Sequence, residues 1–194
     1  AVRSSVILIQ GDSMIENLTV TGGGAYNGSP ASAIRIEGNN VAIRGSRIVD
    51  NQNYGVWVRP TAGNVTIEHN LFLNNISIGI QLPQNDTIIR YNTLVHNGIA
   101  VNILGGATPT VEYNIIADST FQSIYEFAWG QVPTDGYAHV SNNTLFNNAE
   151  NGGHYSRSLT PAIQNQTGGN DIANPLFTNP AAGDYSVSIN SPAY

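Results

Sequence analysis

The chain has 194 residues, 41% of them apolar but only 10% charged, with a formal net charge of −6. That size allows one domain with a real core or one elongated array, and the scattered acidic residues exclude a nucleic-acid binder. There is no Cys, all seven basic residues are Arg, and no apolar run is long enough to span a membrane as a helix; disulfides, thiolate metal sites and lysine bases are excluded.

In chain order, the first feature is "SVILIQ" at 5–10, an apolar, uncharged stretch suited to a strand and poor as a cap. Six similar nine-residue lines follow: "IENLTVTGG" from Ile15, "IRGSRIVDN" from Ile43, "IEHNLFLNN" from Ile67, "IRYNTLVHN" from Ile89, "VEYNIIADS" from Val111 and "VSNNTLFNN" from Val140. Their starts lie 28, 24, 22, 22 and 29 residues apart. Between them sit shorter alternating runs: "AIRI" at 33–36, "GVWV" at 55–58, "IGIQL" at 78–82, "IAVNI" at 99–103 and "SIYEF" at 123–127. Alternation marks strands, Gly and Asn mark turns, and a period of about 22 residues marks a solenoid. The expectation is an all-β, right-handed parallel β-helix of about six coils. It forms one domain over 1–194, with coils over 6–148 and an irregular closing segment over 149–194.

Stacked coils turn each repeat position into a column. The first column (Ile15 to Val140) and the sixth (Val20, Ile48, Phe72, Leu94, Ile116, Leu145) are apolar and predict the core. In the fourth (Leu18, Ser46, Asn70, Asn92, Asn114, Asn143) and ninth (Gly23, Asn51, Asn75, Asn97, Ser119, Asn148), Asn predominates. Stacked amides can bond the amides above and below, together with turn backbone that no strand reaches, and Asn tolerates left-handed angles there. These Asn residues are therefore structural. The second column reads Glu16, Arg44, Glu68, Arg90, Glu112, Ser141, an outward ladder in which each Arg is expected between two carboxylates.

The pattern IxxNxFxxN…GIxL at 67–82 and its copies resembles the right-handed parallel β-helix repeats of the pectate-lyase-like superfamily. The tail "NPLFTNPAAGDYSVSINSPAY" at 174–194 is similar to the closing segment of many secreted β-helix proteins, without their Ala-Gly ending, which suggests a processed chain or a piece of a longer one. The resemblance covers nearly the whole chain and implies the fold. Its members include lyases, hydrolases, epimerases, adhesins and surface-layer components, so it does not select an activity.

In the enzymes of that superfamily, chemistry usually sits on one outer strand face, here the "GVWV" line. Its outward columns are expected to be Arg35, Trp57, Gly79, Ala100, Tyr125 and Glu37, Arg59, Gln81, Asn102, with Gly79 and Ala100 as a shallow floor beside Trp57. Trp57, Arg35, Arg59, Glu37 and Asn102 are the candidate ligand-binding residues, suited to sugar stacking and carboxylate binding. The insert at 128–139 could wall this face with Trp129, Asp135 and Tyr137. No catalytic residue, metal site or cofactor is assigned: Lys is absent, acidic residues do not cluster, His96 has only Asn74 and Asp118 as column neighbours, and His69, Tyr91 and Tyr113 read as aromatic packing. Seven sequons occur; Asn27, Asn64, Asn85 and Asn165 are the candidate glycosylation sites, whereas an inward Asn75 should stay unmodified.

The functional expectation is a non-catalytic extracellular or cell-surface structural protein that self-associates through its β-helix ends. In that scheme the apolar residues Leu176, Phe177, Tyr185, Val187 and Ile189 of the tail cover one end of the rod or pair with the next subunit. The competing expectation is a carbohydrate-binding or carbohydrate-active protein with a polysaccharide on the Trp57 face.

Overall fold

The computed structural model describes residues 5–24, 31–82, 86–104, 107–127, 138–149, 154–155 and 168–194. Three parallel sheets run side by side along the molecule. Sheet A contains Ile7–Ile9, Ser32–Ile36, Tyr54–Val58, Ile78–Leu82, Ile99–Leu104, Gln122–Phe127 and His154–Tyr155. Sheet B contains Ser13–Glu16, Val41–Arg44, Val65–Glu68, Thr87–Arg90, Thr110–Glu112 and His139–Ser141. Sheet C contains Thr19–Val20, Arg47–Val49, Leu71–Leu73, Thr93–Val95, Ile115–Ala117, Thr144–Phe146 and Asp171–Ile172. The chain visits A, B and C in turn and then repeats, so the molecule is a parallel β-solenoid. The six described strands of sheet B are joined by five turns of chain, slightly fewer than the six coils expected.

Sheets B and C pair as the nine-residue lines align. Ile15 lies against Ile43, Ile67 against Ile89 and Leu94 against Ile116. Both apolar columns are buried, as are Ile34, Val56, Ile80, Val101 and Ile124 of sheet A, and together they form one core cluster. Strands are short because each coil must bend sharply. The bend between B and C is made by the third residue of each line, which takes a left-handed conformation, at Asn17, Gly45, His69, Tyr91, Tyr113 and Asn142, and by Gly169 in the coil after them. The eighth residue does the same between C and A, at Gly22, Asp50, Asn74, His96, Asp118 and Asn147. The left-handed strain therefore falls on the residue before each ladder Asn, not on the Asn itself as expected.

The ladder Asn residues do the bonding. Asn70, Asn92 and Asn114 each give both the backbone N–H and Nδ2 to Oδ1 of the next Asn, at 2.9–3.0 Å, ending on Asn143. Each Nδ2 also donates to a carbonyl one coil back, such as Ile67 O from Asn92 at 2.8 Å. In the second ladder Asn51 donates to Asn75 and Asn75 to Asn97, both at 2.8 Å. That ladder breaks at Ser119, whose backbone N–H reaches Asn148 Oδ1 at 2.9 Å while its buried Oγ has no partner.

The region past 148 departs from expectation. Asn170 prolongs the first ladder by accepting from Asn143 at 2.9 Å, and Asp171–Ile172 prolongs sheet C. The segment after it is not irregular: Phe177–Asn179 and Asp184–Val187 form an antiparallel hairpin around a short 3-10 turn, Pro180–Ala182. Nor does this hairpin cover an end of the rod. It lies along the outer face of sheet C, where Asp184, Tyr185 and Ser186 share a cleft with Arg47, Leu71 and Thr93. Val49, Val95 and Ala117, on sheet C but outside the core cluster, are buried. Leu176 and Ile189 stay exposed, whereas Phe177 and Tyr185 meet edge-on within the hairpin, 5.2 Å between ring centroids.

Candidate functional site

The outer face of sheet A brings the five candidate ligand residues together, in a different register from that expected. Leu8, Arg35, Trp57, Gln81, Asn102 and Tyr125 form one column across successive strands. Gln81 and Asn102 thus belong beside Trp57 rather than in the Glu37–Arg59 column. Gly79 and Ala100 are not a floor beside Trp57. The pairs Tyr54–Ile78 and Ile78–Ile99 place them in line with Gly55. That column is buried against the second amide ladder: a Cβ on Gly55 would meet Gly79 O at 2.6 Å and Asn75 Cγ at 3.3 Å. The expected frame was off by two residues at these strands, so Gly79 and Ala100, expected to face outward, lie buried, Ala100 within the core cluster.

Trp57 organises the face. The Arg59 guanidinium carbon lies 4.5 Å and that of Arg35 5.1 Å from the indole centroid; each such contact contributes about 0.5–1 kcal/mol when exposed. Arg35 also forms an ion pair with Glu37, and Gln10 Nε2 donates to Glu37 Oε2 at 3.4 Å. Tyr54 meets Trp57 edge-on, 6.1 Å between centroids, and burial raises its phenol pKa. One coil beyond Trp57, Asn102 Nδ2 donates to Gln81 Oε1 at 2.8 Å. This leaves Gln81 Nε2, Asn102 Oδ1 and Arg35 Nε buried without a partner. Flipping both amides would leave the same deficit, one amino group and one carbonyl. Trp129, Asp135 and Tyr137, expected to wall this face, lie outside the described residues.

The charge ladder follows a different rule from the expected one. Instead of each Arg sitting between two carboxylates, Arg44 and Arg90 both turn to Glu68, each at 2.7 Å. Glu68 is buried and not on an open face. The Arg90 hydrogen bond, with the charge of Arg44 beside it, holds the Glu68 carboxyl below its ordinary value, against the opposing pull of burial. The rings of His69, Tyr91 and Tyr113 stack as expected. Asn74 donates to Asp50 at 3.1 Å and Asn147 to Asp118 at 2.6 Å, flanking His96 in its column. Among the described residues no three His, Asp or Glu side chains gather as metal ligands.

Of the sequon residues, Asn75 is fully buried in its ladder, while Asn64 is exposed with Nδ2 bonded to Asn40 Oδ1 at 2.7 Å. Asn27, Asn85 and Asn165 lie outside the described residues. The residues that sequence reasoning missed are Tyr54 and Asn170. Tyr54 gives no sequence signal, but Asn170 follows two glycines, and Gly-then-Asn reproduces the left-handed residue and ladder residue of the other turns.

Compared with known proteins, residues 2–136 match a family model described as a right handed beta helix region. No curated protein and no solved structure matches the chain.

Proposed function

The chain belongs to the right-handed β-helix family, and from that premise we propose that it is a non-catalytic extracellular or cell-surface β-helix holding a polysaccharide on the outer face of sheet A. The observation that carries this reading is the half-exposed group around Trp57. There two guanidiniums lie over one indole and one of them holds a carboxylate. Guanidinium and carboxylate groups suit the hydroxyl and carboxylate groups of a glycan chain. Because the Arg side chains already lie over the indole, Trp57 acts here mainly by orienting them. Glycan-array screening followed by calorimetry tests the reading. Trp57→Ala should weaken the best hit by about tenfold or more, equivalent to about 1.4 kcal/mol. An array without hits, or equal binding by the variant, overturns it.

Self-assembly through the ends is the second reading, supported by a first coil with Val6, Leu8, Met14 and Leu18 half exposed. Sedimentation of the wild-type chain and of Leu8→Glu tests it. Assembly that disappears in the variant supports it, and a monomer at every concentration rejects it.

A further inference from the structure

The bends between sheets B and C place two tyrosines where the backbone resists them. Tyr91 and Tyr113 stand at equivalent repeat positions with φ of 55° and 54°. A bulky side chain is rare in that left-handed region. The equivalent bends hold Asn17, Gly45, His69 and Asn142, residue types that enter it more readily. Such strain persists only where the surrounding structure imposes it, and it gathers at sites with a role. Equal backbones one coil apart send the two phenols outward side by side. Their rings stack with centroids 5.3 Å apart and planes 16° apart, and nearly half of each residue is exposed.

Two adjacent phenols reachable from solvent can be joined by oxidation. A one-electron oxidant takes one electron from each ring, and each hydroxyl releases its proton. The unpaired electron spreads to the ring carbons beside the C–O bond. Two such carbons, one on each ring, form a C–C bond, and the hydrogen on each then moves to its oxygen, which restores both phenols. The pair loses two hydrogens in all. With a haem peroxidase as the oxidant, one hydrogen peroxide takes them up and becomes two waters. In the stack the faces oppose, so the rings must turn about Cβ–Cγ to bring their edges together, and their exposed side leaves room for this. A phenol one strand spacing away, about 4.8 Å, is present at an effective concentration that no second molecule matches. The chain has no Cys and no Lys, so it cannot be stapled by a disulfide or a lysine-derived bridge. We propose that Tyr91 and Tyr113 form an oxidative coupling site. There a peroxidase-type oxidant ties two adjacent coils together through a biphenol bond between positions 22 residues apart.

The test treats the whole chain, at micromolar concentration, with a haem peroxidase and hydrogen peroxide. Biphenol fluorescence should arise in protein that stays monomeric on a denaturing gel, with a mass lower by two hydrogens. A glutamate-specific protease cuts between the two tyrosines at Glu112, so fragments 69–112 and 113–126 should emerge joined. Tyr91→Phe and Tyr113→Phe keep the rings but not the phenols, and each should lower the fluorescence about tenfold or more. Tyr185 and Tyr194, on the C-terminal tail, line clefts beside the stack. Tyr185→Phe and Tyr194→Phe should leave the coupling intact. The coupled protein should melt higher by about 5 °C or more, because a closed loop restricts the unfolded chain. The proposal is overturned if only intermolecular products form, or none. It is also overturned if either stack variant couples like wild type, or if the coupled protein melts no higher.

Discussion

Asn92 shows why one residue type recurs in these turns. It accepts from the backbone and side chain of Asn70 and donates to Asn114 and to the Ile67 and Arg90 carbonyls. A leucine of similar size leaves those groups orphaned, at about 1–3 kcal/mol for each buried one. Asn92→Leu should therefore lower the melting temperature by many degrees, and Asn39→Leu, at an exposed turn position without a left-handed backbone, by far less; equal losses would contradict the ladder's role. The converse change is available at Ser119, where the second ladder lacks an amide and an oxygen is unsatisfied. Ser119→Asn should accept from Asn97 and donate onward to Asn148. We expect a gain of about 1 kcal/mol, or a melting point higher by about 2–4 °C for a chain of this size. A lower melting point in calorimetry would show that the site cannot hold the larger side chain.

Between the strands of sheet B, the Arg44–Glu68–Arg90 cluster makes stability depend on pH. The Glu68 pKa is lower folded than unfolded, so its contribution is complete above the ordinary carboxylate range. It is lost as pH falls through the depressed folded value. Acid melting curves should show this limb in wild type and lose that part of it in Glu68→Gln; identical acid limbs would mean the cluster is not coupled to folding. The strands also differ in how legible they were. Sheets B and C could be placed residue by residue because the nine-residue lines carry Asn and left-handed residues at fixed positions, which pin the register. Sheet A carries only alternation, and Ile78, Ile80 and Leu82 fit the core equally well in frames two residues apart. The candidate residues Arg35, Glu37, Trp57, Arg59 and Asn102 were therefore assigned to the correct face, but Asn102 to the wrong column. The hairpin was illegible for another reason: its apolar residues match the outside of sheet C as well as they match an exposed coil end.

Across the whole molecule, each coil touches only its neighbours, so stability accumulates by stacking and fails from the ends. Native-state hydrogen exchange should be slowest for amides of Ile67, Ile89 and Val111, which have paired strands on both sides, and fastest for Ile9 and Ile172 in the outermost strands. Uniform protection along the rod would indicate a single cooperative unit instead. Deleting residues 176–194 should leave this gradient in place, since the hairpin adds no strand to the three sheets. It should raise binding of a hydrophobic dye by uncovering Val49, Val95 and Ala117; unchanged dye binding would show that something else covers them.

The first amide ladder has a direction. From Asn70 to Asn143 every Oδ1 points back toward the N-terminal coils and accepts from the coil before it, while each Nδ2 donates both forward to the next Oδ1 and back to a carbonyl of the preceding coil. Aligned amide dipoles add, as peptide dipoles do in a helix, and bonds in such a chain polarise one another. The rod thus carries an axial dipole, positive toward Asn170 and negative toward Ser46, despite having few charges. In an electric field it should orient like a long helix, and electric birefringence would register the loss of part of that moment when Asn92 is replaced by Leu.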